Sequence, residues 1–156
     1  MLWGAIMRIK ILSVGKKMPS WIAEGVATYI KRFQGIEVKL VDIVPPPQSA
    51  NRKKQEGVMI LEKVDAQDWV VALDEKGKQW STQQVAKELE GWTFQGQNVT
   101  LIIGGADGLS DEVRTRANQI WSLSLMTMPH MLVRVVLVEQ LYRAWSLLKG
   151  HPYHRE

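Results

Sequence analysis

The stretch Val99-Thr-Leu-Ile-Ile-Gly-Gly105 points to the fold class, because five residues typical of a buried strand stand directly before two glycines. A run of branched residues without polar alternation is typical of a strand covered on both faces, as in the centre of a parallel sheet. A second such run, Trp69-Val-Val-Ala-Leu73, ends at an aspartate. Two strands of this kind indicate a sheet with helices on both sides.

The alternation of strands and helices extends outward from these two runs. Further strands are predicted over 8–14, 36–44 and 121–126, and a turn over 74–77 follows the second run. Helices are predicted from Ser20 to the stop at Gly35, over about 53–64, after the capping-box pair Ser81 and Gln84, after Ser110, and over 131–149. This order predicts one α/β domain over 1–156, with a mostly parallel sheet and helices on both faces.

Composition excludes several classes of protein. Among the 156 residues there is no cysteine, which removes disulfides, thiolate nucleophiles and cysteine-ligated metals and fits a reducing cytoplasmic compartment. With only three histidines, a metal site is not expected. Charged residues at Arg134 and Glu139 interrupt the longest apolar stretch, so we expect no membrane span. The first residues are apolar but have neither the positive charge nor the cleavage site of a secretory signal.

Charge is unevenly distributed along the chain. Residues 1–54 carry ten basic and three acidic side chains, 55–112 carry four and eleven, and 113–156 carry six and two. The basic ends, which include Lys16, Lys17, Lys31 and Arg32, form either an ordinary solvated surface or one face for a polyanionic partner. The charge pattern alone favours the solvated surface.

The ends of the predicted strands are the expected place for a ligand, because open parallel sheets bind ligands beyond the carboxyl ends of their strands. Three such ends stand out, at Leu73, at Gly104 and over 126–129. The glycine pair allows close backbone approach to a ligand, although such pairs also make simple tight turns. The chain contains no P-loop, no dinucleotide-binding glycine motif after the first strand and no nucleophile elbow.

The last six residues, His151-Pro-Tyr-His-Arg-Glu156, combine two histidines, a tyrosine and an arginine. A chain terminus is commonly disordered, but disordered tails are usually poor in such residues. Imidazole titrates near neutral pH, tyrosine stacks on bases and arginine holds phosphate, so the tail suits acid–base work or RNA contact. On the long helix, Glu139 and Arg143 lie four residues apart and can pair, either as an ordinary surface pair or as part of a site.

Four blocks of the chain resemble one family. They are Leu101-Ile-Ile-Gly-Gly-Ala-Asp-Gly-Leu-Ser110, Trp121-Ser-Leu-Ser-Leu-Met-Thr-Met-Pro-His130, Glu139-Gln-Leu-Tyr-Arg-Ala-Trp145 and the terminal six residues. In this order they resemble the small SPOUT-class methyltransferases that modify N3 of a pseudouridine in large-subunit ribosomal RNA. The resemblance extends from Met7 to the end and includes Gly15-Lys-Lys-Met-Pro19; residues 1–6 are interpreted as an N-terminal extension, and 45–57 match poorly.

The resemblance implies a fold, a cofactor and an assembly. The carboxyl-terminal half is expected to form a trefoil knot whose loops hold S-adenosylmethionine, and the protein is expected to be a homodimer with active sites near the interface. Carried over to this chain, the cofactor-binding residues are Leu73, Gly104, Leu123, Ser124, Leu125, Met126, Thr127 and Met128. The substrate implied is 23S ribosomal RNA, with the assembled ribosome as the expected form.

The reaction implied is direct methyl transfer to N3, which requires loss of the imide proton. The candidate bases are His154 and Glu139, while Arg143 and Arg155 can stabilise the developing oxyanion or contact phosphate, and Tyr153 can stack on or orient the base. Two rival hypotheses remain at this stage: a non-catalytic RNA- or ribosome-binding module, and a flavodoxin-like nucleotide-binding domain. Binding of S-adenosylmethionine would distinguish the enzyme from the RNA-binding module.

Overall fold

The structure, a computed structural model, describes residues 6–155. Five strands form one sheet in which every pair is parallel, in the order β2-β1-β4-β3-β5. The strands are β1 (Arg8–Val14), β2 (Glu37–Ile43), β3 (Trp69–Gln79), β4 (Val99–Ile103) and β5 (Gln119–Ser122). Because β4 rather than β3 lies next to β1, this order differs from the flavodoxin-like order, and the flavodoxin-like hypothesis was wrong.

Helices cover both faces of the sheet, as the alternating pattern predicted. The helices are α1 (Ser20–Ile30), α2 (Arg52–Leu61), α3 (Thr82–Gln95), α4 (Asp111–Arg116) and α5 (His130–Lys149). Contacts of α5 with α1 and α3 form one layer, and contacts of α2 with α4 form the other. The α/β class with a parallel sheet is therefore confirmed, while the trefoil knot stays a prediction of the resemblance.

The core consists of two apolar clusters, one on each side of the sheet. All five residues of β4 are buried, as expected for the central strand of a parallel sheet. Within the part of the chain that the structure describes, no helix is long and apolar enough to cross a membrane.

Several helix ends follow the local sequence signals. The Ser81 hydroxyl accepts a hydrogen bond from the backbone N–H of Gln84, whose side chain accepts one from the backbone N–H of Ser81, which completes the predicted capping box. The Ser110 hydroxyl accepts from the backbone N–H of Val113 and caps α4. Gly150 adopts a φ of 67°, a left-handed conformation that ends α5 where the sequence predicted.

The predicted turn over 74–77 was wrong, because β3 continues as a strand to Gln79. The register with β5 shifts between Leu73 and Lys78, so the irregularity lies within the ladder and does not end it. At Gly77 a Cβ would lie 2.7 Å from the backbone of Ile120, so only glycine permits this close approach of the two strands. The glycine is explained by strand packing and not by a turn.

Two other predicted boundaries also differ from the structure. The fifth strand runs over 119–122 instead of 121–126, because the Ser122 hydroxyl donates to the carbonyl of Ser124 and the Ser124 hydroxyl accepts from the backbone N–H of Met126. These local hydrogen bonds replace a ladder and form a loop. The first helix ends at Ile30 and not at Gly35, although Phe33 beyond its end is still buried.

Candidate active site

A cleft of about 390 Å³ opens at the carboxyl edge of the sheet. Its walls are residues 73–76 of β3, where the register with β5 shifts, and the segments that follow β4 and β5, together with His130 and Val133 at the start of α5. The three segments that the sequence singled out therefore meet at one place, although β3 does not end at Leu73 as predicted. The volume lies within the range of small-molecule sites.

The cleft brings together seven of the eight residues expected to bind the cofactor. These seven are Leu73, Gly104, Leu123, Ser124, Met126, Thr127 and Met128. The eighth, Leu125, does not line the cleft, and its side chain is 80% exposed on the same loop. Its neighbour Met126 lines the cleft and is 77% exposed, so the outer rim of this loop is apolar.

Gly104 is required by the shape of its own loop. A Cβ at Gly104 would lie 2.9 Å from the Leu109 side chain and 3.2 Å from the backbone of Gly108. The backbone N–H of Gly108 donates to the carbonyl of Gly105 at 3.0 Å, which closes a tight turn with Gly108 at a φ of 84°. A side chain at Gly104 would therefore displace the turn that forms this wall, rather than only fill space for a ligand.

Charged and polar side chains fix the loops around the cleft. The Arg114 guanidinium of α4 pairs with Asp74 at the wall made by β3. The Thr127 hydroxyl donates to the Glu75 carboxylate at 3.1 Å and so joins the segment after β5 to β3. Burial and, secondly, the charge of Arg134 lower the pKa of His130, so its imidazole is neutral at pH 7. The cleft thus carries two carboxylates, the two cations Lys76 and Arg114, and a neutral histidine, so positive and negative side chains are balanced in its lining.

Glu139 and Arg143, predicted as a pair, form a larger network. The Glu139 carboxylate accepts two hydrogen bonds from Arg143, at 2.6 and 3.1 Å, one from Tyr153 at 2.9 Å and one from Gln140 at 2.7 Å. Tyr29 of α1 lies on the other side of the Tyr153 hydroxyl at 3.0 Å. Because a hydroxyl carries one proton, Tyr153 donates to the carboxylate and Tyr29 donates to Tyr153.

The tail is ordered as a short 3-10 turn over Pro152–Arg155, and the disordered-terminus alternative was wrong for this segment. The Tyr153 ring packs edge-on against Tyr142 with centroids 4.8 Å apart, and the Arg143 guanidinium lies 5.0 Å from its centre. Burial, then the hydrogen bonds with Tyr29 and Glu139, raise the pKa of Tyr153 far above its ordinary value. Tyr153 is therefore a proton donor throughout the physiological range.

His154 and Arg155, the other predicted tail residues, lie outside this network. The His154 side chain is half-buried, and its Nδ1 is buried without a hydrogen-bond partner among the described residues. Arg155 is exposed. Glu156, the last residue of the quoted tail, lies outside the described residues.

The Glu139 network does not reach the cleft of its own chain. Val133 lines the cleft, and Glu139 follows it by six residues on α5, about 9 Å along the helix axis. None of the predicted catalytic residues is among those that line the cleft. The structure thus forms two separate groups, the cofactor residues at one end of α5 and the catalytic candidates around its middle.

Several residues of these groups were not predicted. Arg134 of α5 is fully buried, pairs with Asp42 of β2 and donates to the carbonyl of Ser13 at 3.4 Å. It joins the end of β1 to the start of the long helix beside the cleft. In the sequence, only a single charge inside an otherwise apolar helix marked Arg134. Nothing in the sequence marked Tyr29, because its contact is with a tail residue 124 positions further along the chain.

The basic residues of the amino-terminal part do not form one patch. Lys16 and Lys17 are exposed directly after β1, at the edge of the sheet where the cleft opens. Lys31 and Arg32 are exposed beyond the far end of α1, about 16 Å away along the helix. Arg32 lies 5.9 Å from the centre of the Tyr153 ring, beside the tail. The four basic residues named from the sequence thus do not share one face, since Lys16 and Lys17 lie at the cleft edge and Arg32 beside the tail.

Comparison with known proteins assigns this arrangement to a class. A family model described as "Predicted SPOUT methyltransferase" matches residues 7–154, nearly the whole chain. The chain therefore belongs to the SPOUT methyltransferase family, as the four blocks of sequence indicated.

Curated relatives match at nearly full length. The chain is 51% identical over 156 residues to the "Ribosomal RNA large subunit methyltransferase H" of Hahella chejuensis, with 96% of this chain and 100% of that protein covered. It is 44% identical to the protein of the same name from a Marinomonas species, with the same coverage. Among solved structures, the "Probable Methyltransferase" of Bordetella pertussis aligns with a TM-score of 0.58 at 14% identity, covering 89% of this chain and 96% of that one. This last likeness shows the fold alone.

Proposed function

We propose that this protein transfers a methyl group from S-adenosylmethionine to N3 of a pseudouridine in 23S ribosomal RNA. The observation that carries the proposal is the cleft, where seven carried-over cofactor residues from three separate segments of the chain line one site. The names of the relatives, which specify a methyltransferase of large-subunit ribosomal RNA, support the class of substrate. The proposed place of action is the assembled ribosome in the cytoplasm, and the whole chain acts as one domain.

The residues of the cleft fit this cofactor. Leu73, Leu123 and Val133 offer apolar contact for an adenine ring, and the loop over 123–128 adds backbone amides. The lining combines the carboxylates of Asp74 and Glu75 with the cations Lys76 and Arg114, and the cofactor likewise carries both signs of charge, on its sulfonium and amino groups and on its carboxylate. When bound, the cofactor supplies an activated methyl group and leaves as a neutral thioether.

The residues of the Glu139 network favour one division of roles. Glu139 already accepts four hydrogen bonds, so it would have to break a donor contact to take up the imide proton. Its role in the proposal is to hold Arg143 and Tyr153. His154 remains as the base, because an imidazole nitrogen can accept a proton and its Nδ1 has no partner among the described residues. Arg143 and Arg155 then stabilise the oxyanion that forms on the uracil ring, or contact phosphate.

A two-fold dimer would bring the two groups of residues together. If two α5 helices pack antiparallel and cross near residue 136, Val133 of one chain lies opposite Gln140 of its partner, and His130 lies opposite Arg143. The side chains of Leu132 and Val136 suit such an interface, because both are apolar and belong to neither core cluster. Exposed Leu125 and Met126 extend the apolar surface at the cleft rim. We therefore propose a homodimer in which the tail region of one chain completes the cleft of the other.

Transfer of tritium from labelled S-adenosylmethionine tests the proposal. The protein is incubated in parallel with free 23S RNA, with large subunits and with whole ribosomes, and the labelled nucleotide is identified after digestion. We expect label on N3 of a pseudouridine, with ribosomes as the best substrate. Heat of cofactor binding is measured in the same preparation. RNA binding without cofactor binding would instead support the non-catalytic RNA-binding module.

A further inference from the structure

An ionic cluster of Arg52, Glu56 and Asp107, in which only Glu56 is fully buried, lies next to the 104–108 loop that forms one wall of the cleft. Arg52 of α2 donates two hydrogen bonds to Asp107, at 2.8 and 3.1 Å, and its Nε also lies 3.6 Å from Glu56 one turn further along the helix. The Glu56 side chain is only 3% exposed and that of Arg52 only 17%, whereas Asp107 sits on the loop itself and is 37% exposed. None of the three lines the cleft.

Glu56 packs directly against the backbone of the loop. A Cβ placed on Gly105 would lie 2.8 Å from the Glu56 Oε1, an atom that has no hydrogen-bond partner among the described residues. Gly57, the residue after Glu56 on α2, lies so close to the Ser110 hydroxyl that caps α4 that a Cβ at Gly57 would not fit. The first turns of α2 are thus in contact with both ends of the segment 104–110.

Burying the Glu56 carboxylate costs more free energy than placing a charge on the surface. A carboxylate so deeply buried is disfavoured unless a cation lies beside it, and the only cation that an ion pair gives Glu56 in the described chain is Arg52. Arg52 meets the loop through a two-bond fork, a geometry that fixes direction as well as distance. The loop contains three glycines at 104, 105 and 108, whose backbone freedom is large without such a restraint.

We propose that Arg52, supported by Glu56 and acting through Asp107, is a positioning residue that holds the 104–108 loop in the conformation that binds the cofactor. The proposal rests on the proposed function of the cleft. Arg52 bonds to the loop without lining the cleft, so we expect its effect on cofactor binding, while the residues proposed to face the RNA base are untouched. The sequence resemblance was weakest over 45–57, and it assigned no role to this segment.

The test compares variants of Arg52 in the full-length protein. Arg52→Met removes the fork and the charge, while Arg52→Lys keeps the charge and loses the fork. We expect Arg52→Met to weaken S-adenosylmethionine binding about ten-fold or more, in line with losses seen for other supporting residues, and Arg52→Lys to fall between it and the wild type. The KM for cofactor rises accordingly, while the KM for ribosomes and kcat at saturating cofactor stay within about two-fold.

The matched control is Arg8→Met, which breaks an exposed ion pair with Glu37 at the other edge of the sheet and should leave cofactor binding unchanged. Asp107→Asn breaks the same pair of hydrogen bonds by changing the residue on the loop. It is the variant to use if Arg52→Met fails to fold. A folded Arg52 or Asp107 variant that binds cofactor like the wild type would overturn the proposal. If the wild type itself binds no cofactor, the proposed function fails first, and the two failures are thus distinguished.

Discussion

His154 and Glu139 are distinguished by their hydrogen bonds. Glu139 is satisfied by four donors, whereas the Nδ1 of His154 has no partner among the described residues. We therefore predict that His154→Ala lowers kcat by about 10²–10⁴-fold, the usual loss of a general base, and leaves cofactor affinity unchanged. The rate of tritium transfer at saturating cofactor and ribosomes is the decisive measurement, with calorimetry for the cofactor affinity. A small effect of His154→Ala beside a large effect of Glu139→Ala would move the base to Glu139.

His130 provides a pH test of the cleft. Its pKa in the folded protein lies below the ordinary value of 6.5, first because of burial and secondly because of Arg134. As the pH falls below about 6.5, His130 binds a proton in the unfolded chain but not yet in the folded protein, so the free energy of unfolding falls. We predict that His130→Gln removes this part of the acid dependence. Urea unfolding of both proteins between pH 5 and 7.5 checks it; parallel curves would contradict it.

The tail is an element that Tyr153 connects to two helices. Tyr153 joins it to α5 through Glu139 and Tyr142, and to α1 through Tyr29. We predict that deleting 151–156 abolishes methyl transfer and spares the fold and most cofactor binding, because no tail residue lines the cleft. Lost hydrogen bonds and ring packing should cost about 1–3 kcal/mol of stability. Circular dichroism, urea unfolding and cofactor calorimetry check this, and retained activity would exclude the tail from the site.

Sequence signals predicted elements wherever the cause was local. The apolar run of β4, the capping box at Ser81 and the stop at Gly150 were all correct, since each depends on neighbouring residues. The end of β3 was misread because Gly77 resembles a turn glycine until β5 is packed against it. The meeting of the three segments at the cleft could be predicted from the rule for parallel sheets, although β3 and β5 end at other residues than predicted. The contact of Tyr29 with Tyr153 could not, because it depends on how α1 and α5 pack.

Two of the exposed basic pairs lie at different places on the molecule, and RNA binding should distinguish them. Lys16 and Lys17 lie at the edge that carries the cleft, while Lys31 and Arg32 lie beyond the other end of α1. We predict that the double variant Lys16→Glu, Lys17→Glu weakens ribosome binding and reduces the salt slope by roughly one per lost phosphate contact. Filter binding over a series of salt concentrations measures it. Unchanged binding would place the RNA surface elsewhere, with Lys31→Glu, Arg32→Glu as the next variant.

The cleft and the Glu139 network lie apart within one chain, and this separation leads to a prediction about the assembly. In the proposed dimer, each site uses the cleft of one chain and the tail region of the other. Gly104→Val, which displaces the turn at Gly108, disables the cleft, and His154→Ala disables the tail. Each variant alone should be inactive or nearly so. The two variants are then unfolded together and refolded as a mixture. Half of the resulting dimers would contain one chain of each variant, and each of these dimers would have one intact site.

We therefore predict that the mixture regains about a quarter of the wild-type activity, the value for random pairing in a two-fold dimer. If each site were built within one chain, every site in the mixture would contain one of the two substitutions, and no activity would return. Sedimentation of the wild type at micromolar concentration is the companion measurement, because a monomer would exclude the shared site. The mixture has the sharper outcome: a protein can dimerise and still build each site from one chain, and only the regained activity requires that the tail of one chain serve the cleft of its partner.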